Sequence, residues 1–273
     1  MIQCFLTALK AESQPIIDYF NLEKDLSFSF PVYMNENRIL IGLGVGKKNI
    51  EKRIKTVLKN KNLNLIQFIN IGIAGGNSST TKIGECYLLN QIEDEATKKT
   101  YYPDILIKHN FEEKSLVTVE KVISEKQSNY KGLVDMEASE IFHVCSSFVP
   151  VHRLVFIKIV SDHMNLKFEE IIALPISNMI LHHMDSIESY LFKLEKLFIE
   201  EKPILNQKDF EWIQSTSRQY LLTKAQQEQL LHFSKGFRIR HQKTSFPNLE
   251  SYKPISKTDR NLKFQIICEK LTS

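Results

Sequence analysis

The sequence is narrowed first by what it leaves out. Over 273 residues, no apolar run approaches the ~20 needed to cross a bilayer, so no segment reads as a membrane span. The four cysteines, Cys4, Cys86, Cys145 and Cys268, lie far apart and form no CxxC pair, which removes the usual zinc signatures. Cys4, Cys86 and Cys145 stand in apolar surroundings and read as reduced core residues of a cytoplasmic protein. His182 and His183 are adjacent in a helical-looking stretch and point to different sides, so they are not read as metal ligands. Neither a metal nor a cofactor is expected. Arginine is scarce in the first half, where Arg38 and Arg53 are the only ones before Arg153. Met1–Leu6 lacks a basic flank and reads as a first strand, not a signal peptide.

What is present is an ordinary globular composition, 42% hydrophobic and 25% charged. The net charge of +4 is unevenly spread, because residues 203–273 hold twelve Lys/Arg against six Asp/Glu. A near-neutral body, residues 1–202, is therefore expected to carry a basic C-terminal extension, residues 203–273, of unassigned role.

Along the body, strands and helices alternate. Ile2–Leu9 reads as a strand, followed by a helix over 14–20 with Ser13 as N-cap and Pro15 in its first turn. Phe28–Met34 and Arg38–Leu43 read as strands around Asn35-Glu36-Asn37. Lys48–Lys59 has the apolar spacing of an amphipathic helix. Leu65–Ile73 is the central strand and enters a cluster of small residues, Gly72-Ile73-Ala74-Gly75-Gly76. Such residues let a backbone approach a ligand, although a Gly-rich turn after a strand is by itself only a turn. Further strands are read at Cys86–Ile92, Leu116–Val122 and Val151–Ser161, with helices over 137–146 and 168–198, the last interrupted near Pro175. Several strands are apolar on both faces, which predicts an α/β sheet covered by helices.

Four acids, Glu12, Asp135, Glu137 and Asp162, stand at or just after strand ends. Each can serve merely as a helix N-terminal carboxylate. Asp162 follows a long apolar run and Ser161, a desolvated setting that suits a general acid. Met136, between two acids, reads singly as core filler.

Taken together, the segments Ala8-Leu9-Lys10-Ala11-Glu12, Leu43-Gly44-Val45-Gly46-Lys47, Asn70–Gly76, Ile83-Gly84-Glu85-Cys86, Val134-Asp135-Met136-Glu137-Ala138-Ser139 and Val160-Ser161-Asp162 resemble the purine/uridine phosphorylase superfamily. The nearest branch is its hydrolytic one, the methylthioadenosine/S-adenosylhomocysteine nucleosidases. The resemblance covers residues 1–195 and implies a twisted mixed sheet, partly closed into a barrel and flanked by helices. It implies cleavage of a ribosyl N-glycosidic bond, with Asp162 protonating the purine and Ser161 beside it, Glu12 orienting water, and Glu137 accepting from the ribose hydroxyls. Met136 would pack on the sugar, and Ile73, Ala74 and Gly75 would lie near the ligand. Phe168 would stack on the base or line the 5′ pocket, or else belong to the core face of the last helix. Asp135 replaces a family Glu, so a shorter carboxylate would meet the ribose. The segment between Ile92 and Asp135 is shorter than in the family and lacks its Ser-Gly-Asp-like strand, which leaves the base pocket altered.

The resemblance leaves two enzymes and one binder open: a hydrolase, a phosphate-dependent phosphorylase, and a non-catalytic nucleoside-binding module. A phosphorylase needs fixed cations, usually arginine. In the family one such arginine precedes the glycine turn, where this chain has Asn70. Water is therefore favoured as nucleophile, with Gly44, Gly46 and Lys47 as the remaining candidate anion site. A small nucleoside is the expected partner, inorganic phosphate the alternative, and a homo-oligomer is implied by the resemblance.

In the extension, 209–222 and 224–233 read as helices, the second capped by Thr223 with Gln226. Phe237–Lys243 is a basic segment read as a solvated face and not a nucleic-acid site, and Phe264–Cys268 as a terminal strand.

Overall fold

The computed structural model describes residues 1–59, 66–124, 130–199, 204–250 and 252–272. The chain divides into two compact units, Met1–Ile199 and Glu200–Ser273. The expected boundary after residue 202 and Leu65 at the head of the central strand fall outside the described residues.

The first unit is built on one mixed sheet. Its strands are β1 (Ile2–Thr7), β2 (Glu23–Lys24), β3 (Val32–Met34), β4 (Arg38–Gly42), β5 (Ile66–Gly76), β6 (Cys86–Asp94), β7 (Thr100–Tyr101), β8 (Glu112–Thr118), β9 (Leu133–Asp135) and β10 (Leu154–Asp162). Parallel pairing of β5 with β1 and β10 places apolar strands at the centre, with residues such as Ile69, Ile71, Ile157 and Ile159 almost wholly buried. From β5 the ladder runs to β9, β8, β6 and β10, and β10 pairs back onto β5, so five strands close on themselves. The expected partly closed mixed sheet is what forms. Helices α1 (Lys10–Phe20), α2 (Ile50–Leu58), α3 (Ala138–Cys145), α4 (Phe168–Ile172), α5 (Ile176–Leu181) and α6 (Met184–Ile199) flank it. One apolar cluster gathers α2 and α3 with Leu6, Phe68 and Phe156, and another gathers α1, α5 and α6 with Phe5, Ile71 and Ile157.

Several local expectations are corrected. The glycine cluster is not a turn after the central strand. It remains in β5, because Gly72 to Ala74 pair with Lys158 to Val160, and Gly75 and Gly76 pair with Val134 and Leu133. Helix α1 begins at Lys10, with Leu9 and not Ser13 at its N-cap. The Glu12 carboxylate binds the N–H groups of Ala8 and Leu9 and closes the helix start early, while Ser13 donates to the Leu9 carbonyl at 3.0 Å. Pro15 therefore sits inside the helix. Lacking an N–H, it leaves the Ala11 carbonyl without its helical donor, and Ser177 on α5 donates to that carbonyl at 2.8 Å. The strand expected over 116–122 ends at Thr118, and 119–124 leaves the sheet. The stretch 168–198, expected as one helix or two interrupted near Pro175, breaks there and again at residues 182–183, which makes three helices.

The second unit consists of α7 (Gln207–Gln219), α8 (Lys224–Arg240) and α9 (Lys257–Thr272) around Leu205, Ile213, Leu230, Phe237, Phe264 and Leu271. Thr223 caps α8, accepting from the Gln226 N–H at 3.3 Å. Phe264–Cys268 is not a strand: Phe264, Ile267 and Leu271 recur at helical spacing and turn one face of α9 inward. In the basic segment, Arg238 is committed to Asp209, at 2.5 and 3.0 Å.

Candidate active site

The carboxyl ends of β5, β9 and β10 border a cleft that is open to solvent. Its lining includes Glu12, Ile73, Ala74, Gly75, Asp135, Met136, Glu137, Ser161, Asp162 and Phe168, so these ten sequence candidates come together. Gly44, Gly46 and Lys47 do not line it, although Val45 does.

Glu12 projects from the first turn of α1 and is 3% exposed. One oxygen accepts from Ala8 N at 2.8 Å and Leu9 N at 2.9 Å, and the other from Ile73 N at 2.8 Å. A Cβ on Gly72 would stand 2.6 Å from that second oxygen, so glycine is required where the carboxylate crosses the strand. Burial pushes Glu12 above the usual carboxylate range, and Lys158 and the three N–H donors pull it back only in part.

Glu137 precedes α3 and accepts from the Gly46 N–H at 2.6 Å. Gly46 has φ +78°, a left-handed conformation that glycine adopts without strain. Burial first, and the charge of Asp135 second, push Glu137 up to about 8 against the pull of Lys158 and the Gly46 donor. Asp162, at the end of β10, is 3% exposed and accepts from the Ser161 hydroxyl at 2.7 Å. Ser161 also contacts the Ala74 carbonyl at 3.3 Å, which ties β10 to β5 beside the acid. Among the described residues the second Asp162 oxygen receives no hydrogen bond from the protein.

Two expectations change. Asp135 lines the cleft, but its carboxylate is engaged by the Thr118 hydroxyl at 2.8 Å, the Ala138 N–H at 2.9 Å and the Lys158 ammonium at 2.8 Å. Three donors within the fold thus occupy the carboxylate that was expected at the ribose. The Gly44–Lys47 segment does not present an anion cradle either. The Gly46 N–H is used by Glu137, and Lys47 forms an ion pair with Asp94.

Lys158 is the residue the sequence reading passed over. It lies in the middle of β10, 2% exposed, opposite Gly72. Burial alone would discharge it, but Asp135, Glu12 and Glu137 together hold its ammonium above the ordinary lysine range. The signal was a single charge inside Leu154–Val160: a lysine in a doubly covered strand is almost never buried without a partner.

No protein-family model matches the sequence, and no curated protein matches it. Solved structures do. The 5′-methylthioadenosine/S-adenosylhomocysteine nucleosidase of Neisseria meningitidis, in complex with methylthio-immucillin-A, superposes with a TM-score of 0.57 at 16% identity, over 70% of this chain and 98% of that one. An Asp→Asn mutant of the Helicobacter pylori nucleosidase with 5′-methylthioadenosine in its active site gives 0.55 at 14%, over 70% and 98%. The futalosine hydrolase of H. pylori gives 0.55 at 14%, over 71% and 98%. The chain has the fold of these hydrolases. Each similarity extends over nearly all of the other protein and leaves about three-tenths of this one unmatched.

Proposed function

We propose that the chain is a nucleosidase that hydrolyses the N-glycosidic bond of a purine nucleoside or 5′-thionucleoside. One observation carries the reading: Glu12, Glu137 and Asp162 converge on a single, largely apolar cleft whose described lining contains neither Lys nor Arg. The structural neighbours, named as nucleosidases and as a futalosine hydrolase, support it.

In glycosidic cleavage the C1′–N bond breaks ahead of nucleophile attack. The sugar becomes oxocarbenium-like and the bond electrons pass to the base. Asp162 gives its proton to the purine and becomes a carboxylate, which the Ser161 hydroxyl stabilises. Water adds to C1′, and its proton passes to Glu12. Three backbone N–H groups fix the Glu12 carboxylate, so it meets the water without reorganising. Glu137 accepts from the ribose hydroxyls, with Met136 and Ile73 against the sugar and Phe168 at the cleft edge. A phosphate dianion has no free cation in the described lining, so water and not phosphate is the nucleophile. The reading also places the protein in the cytoplasm as a homo-oligomer. Three buried free thiols, Cys4, Cys86 and Cys145, fit a reducing compartment.

The test is release of free base from a nucleoside panel with and without inorganic phosphate, followed by analysis of the sugar. Free ribose without phosphate supports the reading. Ribose 1-phosphate formed only with phosphate replaces it with phosphorolysis, and tight binding without release replaces it with a binding module.

A further inference from the structure

The sequence segment Leu43-Gly44-Val45-Gly46-Lys47 is left without a role once it is seen not to cradle an anion. Its hydrogen bonds assign it another. Gly46 donates to Glu137 at 2.6 Å, and the next residue, Lys47, pairs with Asp94 at the end of β6. Asp94 is anchored on three sides. It accepts from the Ser139 hydroxyl on α3 at 2.7 Å, from Thr97 N at 2.9 Å and from the Thr97 hydroxyl at 3.0 Å. Ser139 in turn donates its N–H to Thr118 at 3.0 Å, and Thr118 holds Asp135. Lys47 is thus bolted to the same helix start that carries Glu137, two residues away from Ser139.

This matters because the segment is otherwise held at its two ends: buried Leu43 donates its N–H to the Thr7 carbonyl at 2.7 Å, and the Lys47 carbonyl accepts from the Ile50 N–H at the start of α2. Gly44 and Gly46 both have φ near +77°, and a backbone of two glycines is free to take other conformations once released. The Gly46 N–H is the only hydrogen bond from the described protein to the Glu137 carboxylate. We propose that Lys47 is a positioning residue for ribose recognition: through Asp94 and Ser139 it clamps the Gly44–Lys47 segment to the start of α3, so that the Gly46 N–H fixes Glu137 in the orientation that accepts from a vicinal diol. The inference rests on the proposed nucleosidase reading and on Glu137 facing the sugar.

The prediction is selective. A loosened Glu137 costs a ribonucleoside, which offers two hydroxyls, more than a 2′-deoxynucleoside, which offers one. Purified full-length wild type, Lys47→Met, Lys47→Arg and the double variant Lys47→Met/Asp94→Asn are assayed for base release from adenosine, 2′-deoxyadenosine, inosine and 2′-deoxyinosine. The double variant removes both charges together and so avoids leaving a buried, unpaired Asp94. In the best-cleaved pair, the ribo/2′-deoxy ratio of kcat/KM falls roughly tenfold in Lys47→Met and in the double variant, chiefly through KM, about the loss expected for one hydrogen bond. Lys47→Arg, which keeps the ion pair, restores at least half of the ratio on a logarithmic scale.

If both substrates slow equally while the ratio stays at the wild-type value, Lys47 is structural only and the inference is overturned. A ratio unchanged in the folded double variant overturns it even where Lys47→Met fails to fold. The underlying reading fails in a different place: wild type then releases no base from any nucleoside, or cleaves ribo and 2′-deoxy substrates alike.

Discussion

Glu137→Gln is a substitution expected to strengthen the first unit while disabling its site. Glu137 is 8% exposed and is pushed from an ordinary 4.5 to about 8, first by burial and then by the Asp135 charge. Between those values the folded protein holds a proton that the unfolded chain has already released. The native state binds more protons, so stability falls as pH rises from about 4.5 to about 8 and is level on either side. At ~1.4 kcal/mol for each pH unit, the loss is about 2 kcal/mol at pH 6 and on the order of 5 kcal/mol at pH 9. Glutamine carries no charge to desolvate and keeps a carbonyl oxygen for the Gly46 N–H. The variant is therefore no less stable than wild type at pH 4 and increasingly more stable toward pH 9. For a unit of this size, 5 kcal/mol corresponds to a Tm difference of roughly 10–20 °C. Thermal unfolding of both proteins from pH 4 to pH 9 measures it, with nucleoside turnover falling in the same variant. A Tm difference that stays flat over that range would show that Glu137 is solvated and ionised as usual, and the electrostatic account of the site would be wrong.

Three further outcomes follow from the same geometry. Asp162→Asn lowers kcat by roughly 10²–10⁴, the range for losing a general acid, and near-normal base release in that variant would remove Asp162 from the role. Lys158→Met leaves Asp135 unpaired and destabilises by roughly 3–5 kcal/mol, whereas adding Asp135→Asn recovers a substantial part; equal loss in the single and double variants, read by denaturant unfolding, would mean the 2.8 Å pair contributes nothing. Gly72→Ala forces a Cβ to within 2.6 Å of the Glu12 carboxylate and costs about 10²-fold in turnover by displacing it, so a kcat within a factor of two of wild type would show that Glu12 need not lie there.

The parts of the site legible in the sequence are those where one residue's position reports its own role. Glu12, Glu137 and Asp162 each follow a strand, and in a sheet with parallel central strands the strand ends gather at one edge. Part of what could not be read depends on partners distant in the chain. Gly72 to Gly76 read as a turn because the strands that pair with them, β9 and β10, lie more than fifty residues away. The start of α1 lies earlier than its Ser13 suggests because its cap is the side chain of Glu12, acting backwards on Ala8 and Leu9, and not a Ser or Asn at the boundary. Phe264–Cys268 is a short apolar run, and such runs do not separate strand from helix. The helix shows only in the longer spacing from Phe264 to Leu271.

The site also sorts its acids by partner, and the sorting bears on the nucleophile. Asp94 and Asp135 each pair with a lysine and are further bound by hydroxyl and backbone donors. With Lys47 beside it, Asp94 is held far below the usual carboxylate range in spite of burial. These two acids serve the scaffold. Glu12, Glu137 and Asp162 instead meet backbone N–H groups or a hydroxyl, and no lysine or arginine forms an ion pair with them among the described residues. Such donors orient a carboxylate without pairing it with a cation, which leaves it open to water or base. A phosphate dianion entering the same cleft would approach three acids while both nearby ammonium groups are already engaged. The arrangement that frees the acids for proton transfer is thus the one that withholds a phosphate site, and raising phosphate concentration is expected to leave the rate of base release unchanged.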